Sequence, residues 1–225
     1  MIRHLKALGV ALVAVCAMSA FAASAASADT FTSTVDTVVV TGSQKTANVF
    51  TTTAGVVQCT GTTFKGTVVV PTTKTTEVRV APTYTGCTGF GFPATIHTNG
   101  CEYVLKINDV VAGDTTGTVD IECPVGNEIT VTAIGAGTTK CTVHIPTQTN
   151  IKGITYSNTG VSPTKEVLVT VDITNEPAGS GITYRHTEGT GLGKCTSGHG
   201  FATYTGSVLA TGETTEGAHT DIFVD

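Results

Sequence analysis

The sequence predicts an all-β fold: an antiparallel β-sandwich of about a dozen short strands, stapled by disulfides. Three observations lead there. The 225-residue chain carries 47 Thr, all beyond residue 28, together with 26 Gly, a composition that favours strands over helices. Apolar and polar residues alternate with a period of two along most of the chain. Six cysteines, an even number, follow an N-terminal leader, as in an exported protein with three bridges. With only 13% charged residues, the chain falls outside disorder and outside collagen.

The leader comes first. Arg3, His4 and Lys6 form a positive n-region, Ala7 to Ala23 is apolar or small, and Ser24-Ala-Ala-Ser-Ala28 supplies an A-x-A cut. Residues 1–28 are therefore expected to be a signal peptide cleaved after Ala28, with Ala26 as the rival site. An uncleaved anchor is the alternative, because about 17 apolar residues can just cross a bilayer. Lipidation at Cys16 is not expected, since Val15 stands where a small residue is needed.

Loss of Arg3 and Lys6 leaves 10 basic against 17 acidic residues, a formal charge of −7. No basic stripe exists, so nucleic acid is not an expected partner. The mature chain also lacks Met and Trp. No membrane span is expected after cleavage, and the product is read as secreted or held at the cell surface.

Strands follow from alternation. In Cys101-Glu-Tyr-Val-Leu-Lys-Ile107 the odd positions are apolar, while Glu102 and Lys106 point the other way. The same pattern covers 119–123, with Asp120 and Glu122 outward, and then 128–133, 141–145 and 166–173. Further strands are expected near 35–41, 64–70, 76–84, 94–98, 151–156, 181–185 and 203–210. Turn clusters such as Pro124-Val-Gly-Asn127 and Pro177-Ala-Gly-Ser-Gly181 separate them. Residues 29–225 read as one sandwich unit, with a possible two-lobe split near 108–117 where alternation lapses. Short echoes such as Ile154-Thr-Tyr156 and Ile182-Thr-Tyr184 show no fixed period.

Cys59, Cys87, Cys101, Cys123, Cys141 and Cys195 are expected to pair, because the C-x-x-C spacing of a metal site is absent. Six cysteines allow 15 pairings. A hairpin of 101–107 with 117–123 sets residues whose numbers sum to 224 opposite each other, and so sets Cys101 against Cys123. The competing set, Cys87–Cys101, Cys123–Cys141 and Cys59–Cys195, is preferred here.

Taken together, Tyr84-Thr-Gly-Cys-Thr-Gly-Phe-Gly91, Asn99-Gly-Cys-Glu-Tyr103, Asp120-Ile-Glu-Cys-Pro124 and Cys141-Thr-Val-His-Ile-Pro146 behind an Ala-rich leader give a pattern over roughly residues 35 to 210. It resembles uncharacterised secreted β-rich proteins of high-GC Gram-positive bacteria. The resemblance implies an exported fold with paired cysteines and carries no activity with it.

Chemistry-bearing motifs are few. The segment from His186 to Gly200 fails as a phosphate loop, since Glu188 stands five before Gly193 and Cys195 follows Lys194. His186, Glu188 and His199 are a zinc-type ligand set if the loop folds back. A glycine-rich loop anchored by Cys195 is the simpler reading. Asn108, Asp109 and Asp114 offer oxygen ligands for calcium without an EF-hand pattern. Asp109, Asp114, His186 and His199 are thus candidate metal ligands, and no metal or other cofactor is assigned.

Asp120 with Glu122, about 7 Å apart on one strand face, reads as an outward acidic pair rather than a glycosidase pair. His97 and His144 read as surface histidines. No G-x-S-x-G elbow is present, and no catalytic residue is assigned. The expected role is a non-catalytic structural or binding module facing a protein or glycan. With Trp absent, Tyr84, Tyr103, Tyr156, Tyr184 and Tyr204 are its only amphipathic rings. A calcium- or zinc-binding extracellular domain is the alternative, and a secreted hydrolase the third reading.

Overall fold

Side-chain alternation sorts this chain into strands whose inner faces must be covered from both sides, and the arrangement found does so with two layers. A computed structural model describes residues 29–69, 74–111 and 114–225, with the side chains of 69 and 109–111 excepted. The expected leader, 1–28, lies outside the described residues. Every described element is a strand or an irregular connection, and no described helix is long and apolar enough to cross a membrane.

Strands are numbered in chain order. Four long ones form the first layer in the order β5 (Glu77–Gly89), β3 (Gly55–Val69), β2 (Thr37–Thr52) and β14 (Gly198–Glu213). The second layer consists of two four-stranded blocks set end to end. One is β7 (Glu102–Val111), β8 (Asp114–Glu122), β11 (Gln148–Thr159) and β12 (Glu166–Ile173). The other is β6 (Phe92–His97), β9 (Ile129–Gly135), β10 (Thr138–Ile145) and β13 (Ile182–Glu188).

Both edges of the first layer bond to both blocks. Glu77–Val80 of β5 pairs with β7 while Cys87–Gly89 pairs with β6. On the other edge, Tyr204–Ala210 of β14 pairs with β12 while Gly198–Ala202 pairs with β13. The result is an antiparallel β-sandwich whose layers are hydrogen-bonded to each other, so edges open to a foreign strand are largely removed. Pro82, which has no N–H, sits in the part of β5 between its two partners on that edge, where no ladder bond from it is required.

The core lies between the layers. Val78 and Val80 of β5 point in and Arg79 points out. Ile129, Val143 and Ile154 are essentially sealed from solvent, and burial of each such side chain contributes about 1.5–3 kcal/mol. Residual apolar voids remain between the layers. One, of about 100 Å³, is lined by Val40, Phe64, Leu105, Ile154 and Val169. Another, of about 50 Å³, is lined by Phe50, Val57, Ile96 and Val131.

Tyr103 and Tyr204 border both voids, and the Tyr84 hydroxyl meets that of Tyr103 at 2.7 Å. Burial pushes the pKa values of all three phenols up, so they stay neutral and hydrogen-bonded.

A small second sheet joins the ends of the described chain: β1 (Phe31–Ser33) lies between β4 (Lys74–Thr75) and β16 (Ile222–Val224). Thr30 N donates to Asp225 O at 2.8 Å, and Asp225 N to Thr30 O at 3.0 Å. Phe31 meets Tyr156 edge to face, with centroids 5.1 Å apart. One further short strand, β15 (His219–Thr220), pairs with the end of β14.

The hairpin register read from the sequence is found. Tyr103 faces Ile121 and Leu105 faces Val119, and Cys101 is bonded to Cys123. The preferred disulfide set is overturned. Cys59 is bonded to Cys87 and Cys141 to Cys195, so Cys87–Cys101, Cys123–Cys141 and Cys59–Cys195 do not form. Nearness along the chain misleads here, because β6 separates Cys87 from Cys101 while β3 and β5 lie side by side and bring Cys59 opposite Cys87. Residues 108–111 belong to β7 and residues 114–117 to β8, which pair with each other.

A second correction concerns the exposure of Asp120. It stands on the outer face of β8, opposite Val104 and bonded to Lys106, but is only 2% exposed, because the bulged segment of β11 near Asn150 folds over it. Asn150 N donates to Asp120 Oδ1 at 2.7 Å and Lys106 Nζ to Oδ2 at 2.5 Å. Burial alone would raise its pKa, yet these donors hold it below the ordinary carboxylate value.

Candidate functional site

The described residues bring metal-ligating side chains together at one place, where β10 and β13 meet the loop 189–197. Strand pairing sets Val143 opposite His186 and Cys141 opposite Glu188. Period two then puts Cys141, Val143, His186 and Glu188 on one face. The loop is tied down by backbone bonds: Thr190 N donates to Thr139 O at 2.8 Å and Cys195 N to Lys140 O at 2.9 Å. Lys140 Nζ reaches Thr190 O at 3.1 Å. These contacts hold Cys195 over Cys141, and the two are joined as a disulfide.

Cys141 is fully buried, whereas Cys195 is half-buried. The Cys195 sulfur lies 3.4 Å from Thr187 O. As an oxidised sulfur it has no hydrogen to donate there.

His186 completes the cluster. Its ring stacks on Tyr184 with centroids 5.7 Å apart and planes at 20°. It also lies flat on Gly198, where a Cβ would come within 2.8 Å of Cε1. Glycine at 198 is thus a space requirement of the ring. His186 is 6% exposed, yet neither Nδ1 nor Nε2 has a hydrogen-bond partner. Buried polar side-chain atoms are normally satisfied, which makes this imidazole unusual.

The zinc-type set read from the sequence is not assembled. His186 pairs with Gly198 and Arg185 pairs with His199, so the two histidines lie on opposite faces of the sheet and cannot share an ion. Glu188 is exposed and forms an ion pair with Lys194. Asp114 is exposed near the tip of the β7–β8 hairpin, where it faces Val111. Asp109 faces Thr116, and its side chain lies outside the described residues.

His144, read as a surface histidine, is half-buried. Its Nδ1 lies 2.6 Å from Glu128 Oε1, and Arg185 bonds the same carboxylate. The register continues this row outward from His199 through Arg185, His144 and Thr130 to His97. Residues far apart in sequence therefore form one polar line across the outer face, which no local motif announces.

None of the protein families, curated proteins or solved structures compared with the chain matches it.

Proposed function

We propose that the protein is an exported, non-catalytic structural or binding module that works outside the cell and meets a protein or glycan through its outer faces. The observation that carries this reading is the set of three disulfides, one in the first layer, one at the end of the β7–β8 hairpin and one in the loop at β10. Such bridges persist where the surroundings are oxidising. The tripartite leader read from residues 1–28 supports the same compartment. The size of the interior also supports it: voids of about 100 and 50 Å³ are well below the roughly 300–1,000 Å³ of a small-molecule site. Recognition is therefore assigned to the surface.

Expression of the full chain in a secreting host tests the reading. Intact mass of the culture-supernatant protein should start at Asp29 with all six cysteines oxidised. That protein should then be retained by a glycan array or an envelope fraction while leaving a panel of ester, peptide and glycoside substrates unchanged. Recovery only in membranes with Met1–Ala28 attached overturns the export reading, and turnover of any substrate overturns the non-catalytic one.

A further inference from the structure

We propose that Cys141, Cys195 and His186 form a binding site for a zinc-type divalent ion when the Cys141–Cys195 bridge is reduced, so that the ion and the disulfide are alternative occupants of one place. The inference does not rest on the function proposed above. Every chain passes through the dithiol state before its cysteines are oxidised, and zinc or disulfide formation then compete for the same two sulfurs.

Geometry supplies the first argument. The two sulfurs and a ring nitrogen of His186 all lie within 4.8 Å of one another. Tetrahedral zinc with Zn–S near 2.3 Å places two sulfur ligands about 3.8 Å apart and takes an imidazole nitrogen at about 2.0–2.1 Å. The sulfurs must therefore separate from their bonded distance, and the ion cannot enter while the bridge is closed.

Their backbones need little change. Cys141 stands in the β10–β13 ladder, and Cys195 is fixed by its own N–H on Lys140 O, independently of the sulfur–sulfur bond.

The second argument is the unpartnered imidazole. A histidine sealed from solvent with both nitrogens unbonded carries an unmet cost, and a metal on one nitrogen removes part of it. Two thiolates and an imidazole suit zinc and similar borderline ions rather than calcium or magnesium, which take oxygen ligands. Three protein ligands leave the fourth position to water. Neither Cys59–Cys87 nor Cys101–Cys123 has a third ligand of this kind among the described residues, so those pairs are internal controls.

The chemistry balances with a dithiol as reductant. One reductant thiolate attacks the half-buried Cys195 sulfur, the sulfur–sulfur bond breaks, and Cys141 leaves as thiolate. The second reductant thiol attacks the mixed disulfide and releases Cys195, so that two electrons and two protons reach the protein and the reductant leaves as its own disulfide. Binding of the ion then displaces the two thiol protons.

Cobalt(II) is a suitable probe of the full-length protein after reduction with a dithiol and anaerobic removal of the reductant. The reduced protein should bind one equivalent, with thiolate-to-cobalt absorption in the near ultraviolet and tetrahedral bands in the visible. The oxidised protein should bind none. His186→Ala should weaken binding at least tenfold, while the double variant Cys59→Ser/Cys87→Ser should retain it.

Zinc should slow alkylation of Cys141 and Cys195, and of no other cysteine, in peptide mapping. Because an unfolded chain binds metal through thiols regardless of residue 186, the His186→Ala comparison separates a built site from loose thiols. Equal affinity in His186→Ala, equal binding by oxidised protein, or protection spread over all six cysteines overturns the proposal.

Discussion

Reduction of the three bridges should remove most of the stability of the folded chain. The bridges join residues 28, 22 and 54 apart, and their loops, 59–87, 101–123 and 141–195, do not overlap. Each therefore restricts a separate stretch of the unfolded chain. The loop-entropy relation assigns them about 3.6, 3.4 and 4.2 kcal/mol at 25 °C, or about 11 kcal/mol together. Total stabilities of domains run from roughly 5 to 15 kcal/mol.

Urea unfolding followed by far-ultraviolet circular dichroism, with and without reductant, measures the difference. At a slope of about 2 kcal/mol per molar, the midpoint should fall by several molar, or the reduced chain should be unfolded in metal-free buffer and refold as the ion binds at Cys141, Cys195 and His186. The slope should also rise, since an uncrosslinked denatured chain is more expanded. A midpoint shift below about 1 M at unchanged slope would refute the reasoning. It would mean that the hydrogen-bonded closure of the two layers, and not the bridges, restrains the chain.

Other perturbations are as specific. Asp120→Ala leaves the Asn150 N–H without its acceptor and should cost about 1–3 kcal/mol, read as a lower urea midpoint at pH 7. Because Asp120 and Asp221 have pKa values held below the ordinary carboxylate value, the unfolded chain binds more protons than the folded one in that range. Their contribution is complete above about pH 4 and is lost as the pH falls through the lowered folded values, so the slope of stability against pH below 4 should be shallower in Asp120→Asn.

Tyr103→Phe removes one of the two phenol partners of the Tyr84 hydroxyl, the one at 2.7 Å, and should cost about 1 kcal/mol, whereas a neutral result would show that Tyr204 alone satisfies that hydroxyl. Gly117→Ala should destabilise by about 1–3 kcal/mol in thermal melts, because its Cβ would stand 2.0 Å from Lys106 O and 2.6 Å from Tyr156 Cε2.

Much of the strand content was legible from alternation, which depends only on which side of a pleat each residue occupies. The expected strands at 101–107, 141–145 and 166–173 lie in or beside β7, β10 and β12. The long first-layer strands were not legible as such. Segments near 35–41 and 64–70 were expected, but β2 and β3 run on to residue 52 and back from residue 55. A bulge between Ser43 and Asn48 breaks the alternation there, and a bulge moves every later side chain to the other face.

At the candidate site, His186 was singled out with His199 because both are potential ligands in one short segment. A difference of one register position across the β13–β14 ladder sends them to opposite faces. Cys141, 45 positions before His186, carried no local signal of being its neighbour.

The sequence by itself determined the fold class, the face that most strands turn inward, the even set of oxidised cysteines and the one hairpin whose register follows from matching its inward residues. These are local properties, set by pleat geometry, composition and the pairing of neighbouring strands. The tertiary structure decided which strands lie side by side and how four long strands serve two separate blocks. It also decided which of 15 pairings the cysteines make, that Asp120 is covered, and that a buried histidine rests beside the Cys141–Cys195 bridge. The reason is physical: joining strands distant in sequence costs loop entropy that rises only slowly with separation. Many partners are therefore nearly equal in that cost, and only the simultaneous burial of all the inner faces distinguishes among them.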